Sequence, residues 1–548
     1  MNMKILISFL ICLHTISVIN GEKIVHTLTG SVRGKITKVF CNDVIEYLGI
    51  PYAQPPVDKL RFRAPQPIEK WHGILNATIV APVCTQDPRN SRSSTVPRNL
   101  RYMSEDCLYL NIWVPVERRT SKPFTTMVWI HGGAYNRGSS TISYYNGRYL
   151  ASIGNVIVVS FNYRLGSFGF MYLNDTRMPG NMGMLDQVTA LRWIYNNIEY
   201  FEGDRNNITL FGQSAGSVSI TDHMISPLSR ELFGRSILQS GTNYNNIFVK
   251  TPEENEEKTK EIATIAGCDT RNTYPDDVIN CLLSLKAQDL AAAERKFAKS
   301  KNTSLTFTEQ VDGHFLLDNG INSINKGAVH NREMMMGYTA TEGSQFLLSF
   351  KPKFQTEDIP KLHKSDAEYI LSKFYFINGT HLEDASEEYF GKLSNNDYSS
   401  IAQRTVEALG DGYICPIRAA AEKLWQYDNT VYFYNWNYSH ITAGYKEWEG
   451  APRFEDVFFV FGMPFMYPEF FTEEEKYFSY QIIQLWTSFA KTGNATTLRI
   501  YFKPYYEKMS EDWLPFDSIH RIIMNLEPEK THIYEQTIKN ECEVWLKF

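Results

Sequence analysis

A serine between small residues is the strongest chemical signal in the sequence, where the pentapeptide GQSAG occupies residues 212 to 216. In a G-x-S-x-G elbow the chain turns sharply from a strand into a helix and presents the serine hydroxyl above the sheet edge. The apolar run from Ile208 to Phe211 precedes the motif, and residues 217 to 225 can continue as a helix. The motif predicts Ser214 as a nucleophile, although taken alone it is equally compatible with an ordinary glycine-rich turn.

A second group of small residues favours the interpretation of Ser214 as a nucleophile over that of an ordinary glycine-rich turn. The tetrapeptide HGGA at 131 to 134 ends an apolar run upstream of the serine. Small residues there let backbone N–H groups point at a developing oxyanion. We therefore expect an oxyanion hole formed by the N–H groups of Gly133, Ala134 and Ala215, the last of which directly follows the serine. The alternative is that the two glycines merely end a strand.

Apolar runs that end in glycine or polar turns recur along the chain and must position these groups. Between them lie helical patterns, such as the segment at 185 to 198 and the segment at 252 to 267, which opens with a threonine cap, a proline and glutamates. Strands that are apolar along their whole length and alternate with helices predict a mostly parallel sheet covered by helices on both faces. The predicted fold class is α/β.

Length and charge limit the classes of function. The chain has 548 residues, of which 43% are hydrophobic, and it shows no repeat or low-complexity linker, so we expect one large domain over residues 21–548. Lysine and arginine total 55 against 61 acidic residues, and a net charge of −6 offers no electrostatic footprint for nucleic acid. We expect no metal and no cofactor.

The first twenty residues predict export from the cell. They carry one lysine, then an apolar run too short to span a bilayer, then small and polar residues, which is typical of a secretory signal peptide. The alternative is a retained membrane anchor. No later apolar stretch has spanning length, so we expect a secreted protein with no membrane span. Seven Asn-x-Ser/Thr sequons could accept glycans, at Asn76, Asn174, Asn207, Asn302, Asn378, Asn437 and Asn494.

Taken together, these motifs resemble the type-B carboxylesterase and cholinesterase family. The resemblance is carried by GQSAGS at 212 to 217, by MSEDCLYLN at 103 to 111 and by NYRLGSFGF at 162 to 170, and it extends over nearly the whole mature chain. It implies an α/β-hydrolase fold with a deep gorge leading to the serine. It also implies three disulfides, Cys84 to Cys107, Cys268 to Cys281 and Cys415 to Cys542, which leaves Cys41 as an odd thiol.

The resemblance implies an acid but supplies no base. The acidic member of the family's triad lies in a G-x-x-x-x-E-G-S context, which here assigns Glu342. The family's histidine follows an E-W-x-G stretch and lies nine residues before the glycine of a Phe-Gly pair. In this chain the matching stretches are at 447–450 and 461–462, and that position holds Arg453. Arginine stays protonated and offers only donors, so it cannot accept the serine proton.

The departures from the family leave two classes of function open. One is a secreted carboxylic ester hydrolase that is slow, or that recruits His440, His314 or a water as its base. The other is a non-catalytic member that binds a small carboxylic ester, a hydrophobic ligand or a protein partner. The second agrees better with the missing base. Gln213 where cholinesterases carry glutamate, and the lack of tryptophan between Cys84 and Cys107, argue against choline esters.

Overall fold

The structure is a computed structural model. It describes residues 21–39, 42–87, 102–245, 249–271, 274–301, 303, 305–495, 513–535 and 541–547. The predicted signal peptide, Cys41 and Asn302 lie outside these residues. Within them, no helix has both the length and the apolar character that crossing a bilayer requires.

A single large sheet of 13 strands organises the described chain. Seven of its central strands run parallel, and antiparallel strands flank them on both sides. In spatial order the strands are β1-β2-β3-β5-β7-β6-β8-β9-β10-β11-β12-β13, with β4 paired to β2. Their bounds are β1 Glu22–His26, β2 Ser31–Thr37, β3 Val44–Pro51, β4 Ile74–Asn76, β5 Tyr109–Pro115, β6 Phe124–Ile130, β7 Ile157–Phe161, β8 Gly203–Gln213, β9 Arg235–Gln239, β10 Glu333–Thr339, β11 Thr430–Trp436, β12 Ile522–Leu526 and β13 His532–Glu535.

Helices cover both faces of this sheet, as the sequence predicted. Along β6, Val128 and Ile130 belong to one hydrophobic core, and Met127 and Trp129 belong to a second core on the other face. The α-helices are α1 Arg148–Gly154, α2 Gly166–Phe170, α3 Met182–Asn197, α4 Ala215–Ile225, α5 Pro252–Ile265, α6 Pro275–Ser284, α7 Ala287–Lys301, α8 Gly320–Asn325, α9 Gly343–Phe350, α10 Lys364–Tyr375, α11 Gly379–Phe390, α12 Tyr398–Trp425, α13 Glu455–Val460, α14 Met463–Met466, α15 Glu473–Thr492 and α16 Cys542–Trp545. The α/β class and the parallel core are confirmed.

Local signals placed several elements correctly. Helix α5 begins with the predicted threonine, because the Thr251 hydroxyl accepts from the Glu254 N–H and the Glu254 carboxylate accepts from the Thr251 N–H. This capping box satisfies backbone donors that have no partner inside the helix. The predicted helix at 185 to 198 corresponds to α3, which starts three residues earlier.

Three disulfides tie the chain together at the positions that the family resemblance implied. Cys84 is bonded to Cys107, Cys268 to Cys281 and Cys415 to Cys542. The last pair joins α12 to α16 across 127 residues of sequence. On the chain-entropy model, a loop of this length contributes roughly 4 to 5 kcal/mol to stability.

Most of the described sequons lie on the surface. Asn76, Asn174, Asn378, Asn437 and Asn494 are exposed. Asn207 differs, because its amide nitrogen donates to Thr125 Oγ1 at 2.7 Å and its oxygen accepts from Arg235 Nη1 at 2.7 Å. A glycan on this nitrogen would have to displace Thr125.

Candidate functional site

Ser214 lies at the junction of β8 and α4. Its backbone has φ 59° and ψ −127°, a conformation that costs a non-glycine residue free energy and persists only where the surroundings enforce it. The Ser214 N–H donates to the Gln239 carbonyl oxygen at 2.9 Å, which ties the turn to β9. In the described chain, no side chain or backbone group hydrogen-bonds the Ser214 hydroxyl. The geometry is that of a nucleophile elbow.

The small residues of the elbow are required by close backbone contacts. A Cβ added to Gly216 would lie 2.0 Å from the Ile130 carbonyl oxygen, and one added to Gly212 would lie 2.8 Å from the same atom. Both distances are too short for any side chain. The spacing of glycines in the motif is therefore explained by the packing of the elbow against the end of β6.

The predicted oxyanion turn, which comprises residues 131 to 134, adjoins the serine. A Cβ on Gly132 would lie 3.0 Å from the Ser214 Cβ, and the next two residues, Gly133 and Ala134, have φ values of 121° and 55°. Their N–H groups donate to no acceptor within the described residues, and Ala215, as the first residue of α4, has no intrahelical acceptor for its own N–H. The structure thus brings the three predicted donors to one place and leaves them available.

Glu342 lies between β10 and α9 and is fully buried. Its Oε1 accepts from the Thr339 N–H at 2.9 Å, and its Oε2 accepts from Arg453 Nη1. A buried carboxylate needs such partners, because leaving one charge unpaired costs several kcal/mol. The predicted acid is therefore in direct contact with the arginine at the predicted base position.

Arg453 is buried among groups that pair with its guanidinium. Besides Glu342, it donates through Nη2 to the Ser240 carbonyl oxygen at 2.6 Å. The guanidinium carbon lies 4.7 Å from the Tyr413 ring centroid and 5.4 Å from that of Phe346. These contacts combine an ion pair, a charge-assisted hydrogen bond and two cation–π interactions. The ring and carbonyl partners come from distant segments, and no motif in the sequence indicates them.

The segment before Arg453 is fastened to the loop that carries Glu342. The Thr341 N–H donates to the Ala451 carbonyl at 3.0 Å, and the Ala451 N–H donates to Thr341 Oγ1 at 3.2 Å. Gly450 has φ 57°, and a Cβ there would lie 2.2 Å from Thr341 Oγ1. The backbone therefore fixes where residue 453 lies, independently of its side chain.

None of the histidines in the described chain reaches Ser214 or Glu342. His440 bonds through Nδ1 to Glu455 Oε2 at 2.9 Å and stacks on Phe471, and His314 is exposed. His131 lies beside the oxyanion turn, but its Nδ1 is 2.9 Å from the Gly132 carbonyl, and burial lowers its pKa to about 4. No described histidine can serve Ser214 as a base in this arrangement.

His223 belongs to a buried network of its own. Its two ring nitrogens lie 2.8 Å from Ser229 Oγ and 3.0 Å from Gln187 Oε1. Burial lowers its pKa to about 3, so it is neutral. Both nitrogens are occupied, which is why this histidine cannot turn towards the serine.

A buried aspartate near the acid was not predicted. Asp456 Oδ2 accepts from Gln239 Nε2 at 2.8 Å and from the Tyr434 hydroxyl at 2.9 Å. Burial raises the pKa of Asp456 to about 6, and the neighbouring Glu342 charge contributes to the rise. The signal available in the sequence was an aspartate inside the apolar helical run EDVFFV, where charged residues are rare.

A cavity of about 490 Å³ opens beside the oxyanion turn. Asn136 and Arg137 contribute to its wall, together with residues of α2, α7 and α10. Ser214 is not one of the residues that line it, whereas the family resemblance implied a gorge leading to the serine. This cavity therefore adjoins the oxyanion turn and does not include the serine itself.

Comparison with known proteins assigns the family. The model of the carboxylesterase family matches residues 21–545. A mouse (Mus musculus) protein called cholinesterase is 34% identical over 537 residues, which cover 96% of this chain and 86% of that protein. An acetylcholinesterase of Bungarus fasciatus is 34% identical over 493 residues, or 87% of this chain and 79% of the snake protein. The chain belongs to the carboxylesterase family.

Proposed function

We propose that this chain is a secreted carboxylesterase-family protein that binds a small carboxylic ester or hydrophobic ligand and hydrolyses esters poorly or not at all. The observation that supports this proposal is the ion pair between Arg453, which the family resemblance implies at the base position, and Glu342, which it implies as the acid. The Arg453 side chain is only 7% exposed, and its donors are already directed at Glu342 and Ser240.

The chemistry of ester cleavage explains why this contact matters. The base takes the serine proton and later returns it to the leaving group, so it needs a neutral nitrogen near physiological pH. A guanidinium is always protonated in proteins and has no acceptor. The ion pair with Glu342 fits a structural role, since it neutralises a fully buried carboxylate.

An active ester hydrolase that uses Ser214 with an unidentified base is the second candidate. It is favoured by the retained elbow, in which Ser214 keeps φ 59°, and by the unused N–H groups of Gly133 and Ala134. Backbone strain of this kind costs free energy, and a turn with only a structural role has no reason to retain it. A protein partner is a further possibility for a non-catalytic member of the family.

Hydrolysis of 4-nitrophenyl acetate by the native protein and by its Ser214→Ala variant separates the two candidates. We expect feeble turnover that differs little between them. Robust turnover that disappears with Ser214 would show that another base serves this serine, and the binding role would then be abandoned.

Secretion is part of the proposal. Three disulfides fit an oxidising compartment, and residues 1–20 have the character of a signal peptide. We expect expressing cells to release a glycoprotein whose mass falls on treatment with an N-glycosidase. Retention in the membrane fraction after a carbonate wash would contradict this.

A further inference from the structure

The cavity beside the oxyanion turn has the dimensions of a ligand site. Its volume of about 490 Å³ lies within the range of 300 to 1,000 Å³ that is usual for small-molecule pockets. Its wall includes apolar side chains from several elements, namely Leu165, Phe168, Ala291, Phe350 and Ile370. The remaining wall is polar or charged, and a wall that mixes apolar and polar side chains favours a ligand that joins an apolar body to a polar group.

Arg137 is a cation of this wall that has no anionic partner among the described residues. The Arg137 N–H donates to the Gly133 carbonyl oxygen at 3.1 Å, which closes the oxyanion turn. Its side chain makes no hydrogen bond or ion pair with any described residue, and its Nε is fully buried without an acceptor. Burial lowers the pKa of the guanidinium, as expected for a cation that is removed from water without an anion.

The acidic groups of the cavity are engaged elsewhere. Asp87 pairs with Arg295 at 3.2 Å, and Asp366 pairs with Lys351 at 3.2 Å. Glu294 accepts from the Ser167 N–H at 2.8 Å and from the Ser167 hydroxyl at 2.9 Å. Each carboxylate therefore has its own donor, and none of them neutralises Arg137.

We propose that this cavity binds a monocarboxylate with an apolar body, and that Arg137 pairs with the carboxylate. A guanidinium presents parallel N–H donors that match a carboxylate, and such bidentate pairs are among the strongest hydrogen bonds in proteins. The ligand supplies the anion that the chain lacks, while its apolar body lies against the aromatic and aliphatic wall. This site is separate from Ser214, so it does not depend on whether the serine is reactive.

Titration calorimetry with three ligands of one chain length tests the head group. Decanoate, decanol and decyltrimethylammonium share the apolar body and differ in charge. We expect the mature protein to bind decanoate at least tenfold more tightly than decanol, and the cation least tightly. Equal affinity for decanoate and decanol, or no binding of decanoate, would overturn the proposal.

Charge removal tests the residue. We expect Arg137→Gln to weaken decanoate binding at least tenfold and to leave decanol binding unchanged. The control is Arg118→Gln, which removes the same charge from an exposed arginine. An unchanged affinity in Arg137→Gln would overturn the assignment, as would an equal loss in both variants. If Arg137→Gln does not fold, the affinities of the unmodified protein for the three ligands still show whether the cavity prefers a carboxylate.

The same titration on Ser214→Ala keeps the outcome independent of the proposed function. Decanoate binding that survives in Ser214→Ala supports the carboxylate site even where the native protein proves to be an active esterase. Decanoate binding that is lost in Ser214→Ala and kept in Arg137→Gln would place the ligand at the serine and refute the proposed site.

Discussion

Two enclosed arginines near the candidate site have opposite surroundings. Arg453 meets a carboxylate, a carbonyl oxygen and two aromatic rings, all within the chain. Arg137 meets none of these, although the residue is partly buried and its Nε is fully buried. The difference indicates that Arg453 has a structural role within the fold and that the partner of Arg137 is a bound ligand.

Because both side chains are at least partly buried, the presence or absence of a partner also affects the free energy of folding. A charge removed from water is tolerated where it is paired and hydrogen-bonded, and it is costly elsewhere. We therefore expect the same substitution at the two positions to give different results.

The largest effect is expected from restoring a base. Arg453→His places a neutral acceptor where the backbone fixes residue 453, next to Glu342, which can orient an imidazole. Loss of a triad member costs on the order of 10⁴ to 10⁶ in turnover in serine proteases, so we expect a gain of at least ~100-fold. The measurement is the rate of 4-nitrophenyl acetate hydrolysis at pH 8.

Two controls accompany this variant. Arg453→Lys keeps a cation at the position and should remain as slow as the native protein. Adding Ser214→Ala to Arg453→His should abolish the gain. Turnover in Arg453→His that does not depend on Ser214 would contradict the assignment of position 453 as the base position.

The second prediction concerns the ion pair. Arg453→Gln leaves Glu342 buried and unpaired, and we expect the free energy of unfolding to fall by about 3 to 5 kcal/mol. Chemical denaturation followed by tryptophan fluorescence measures the change. Glu342→Gln in the same chain should recover most of the loss, because it removes the orphaned charge. A loss below about 1 kcal/mol in Arg453→Gln would show that the pair is not structurally important.

Much of the fold could be predicted from sequence because its signals are local. Apolar runs that end in glycine or polar turns predicted a mostly parallel sheet, and small residues at fixed spacing marked the elbow at Ser214. The close contacts that require those glycines, such as the one between Gly216 and Ile130, join the serine motif to the strand that ends in the HGGA motif. The sequence already assigns these two motifs to one site. Arg453 was predicted at the base position from the matched stretches on both sides of it, and its contact with Glu342 is what the structure adds.

The surroundings of the two arginines could not be predicted in this way. Tyr413 lies in α12 and Ser240 follows β9, and neither shares a motif with Arg453. No motif or spacing in the sequence singles out Arg137. Its lack of an anionic partner can be seen only from the residues that surround it in the folded chain. Asp456 depends likewise on burial, which only the tertiary packing determines.

The third prediction is a pH dependence that originates at Asp456. Burial raises its folded-state pKa from 3.8 to about 6, so the protonated form favours the folded state. The stability is therefore fully present below about pH 4 and is lost as pH rises through 6, by about 3 kcal/mol. Asp456→Asn keeps an acceptor for Gln239 and Tyr434 and should lack this loss.

Denaturation curves at pH 4, 5, 6 and 7 measure this difference between the native protein and Asp456→Asn. The exposed Asp289→Asn is the matched control and should follow the native protein at each pH. Parallel curves for native protein and Asp456→Asn over this range would contradict the prediction.

The smallest effect is expected at Arg137, and it completes the contrast with Arg453. Arg137→Gln removes a cation that has no anionic partner among the described residues, so no buried charge is left behind. We expect the free energy of unfolding to change by less than about 1 kcal/mol, measured as for Arg453→Gln. With decanoate present, the native protein should gain stability, because a ligand that binds only the folded state shifts the equilibrium towards it. Arg137→Gln should gain less at the same concentration. A loss of several kcal/mol without ligand would mean that Arg137 completes the fold as Arg453 does, and the contrast between the two arginines would then fail.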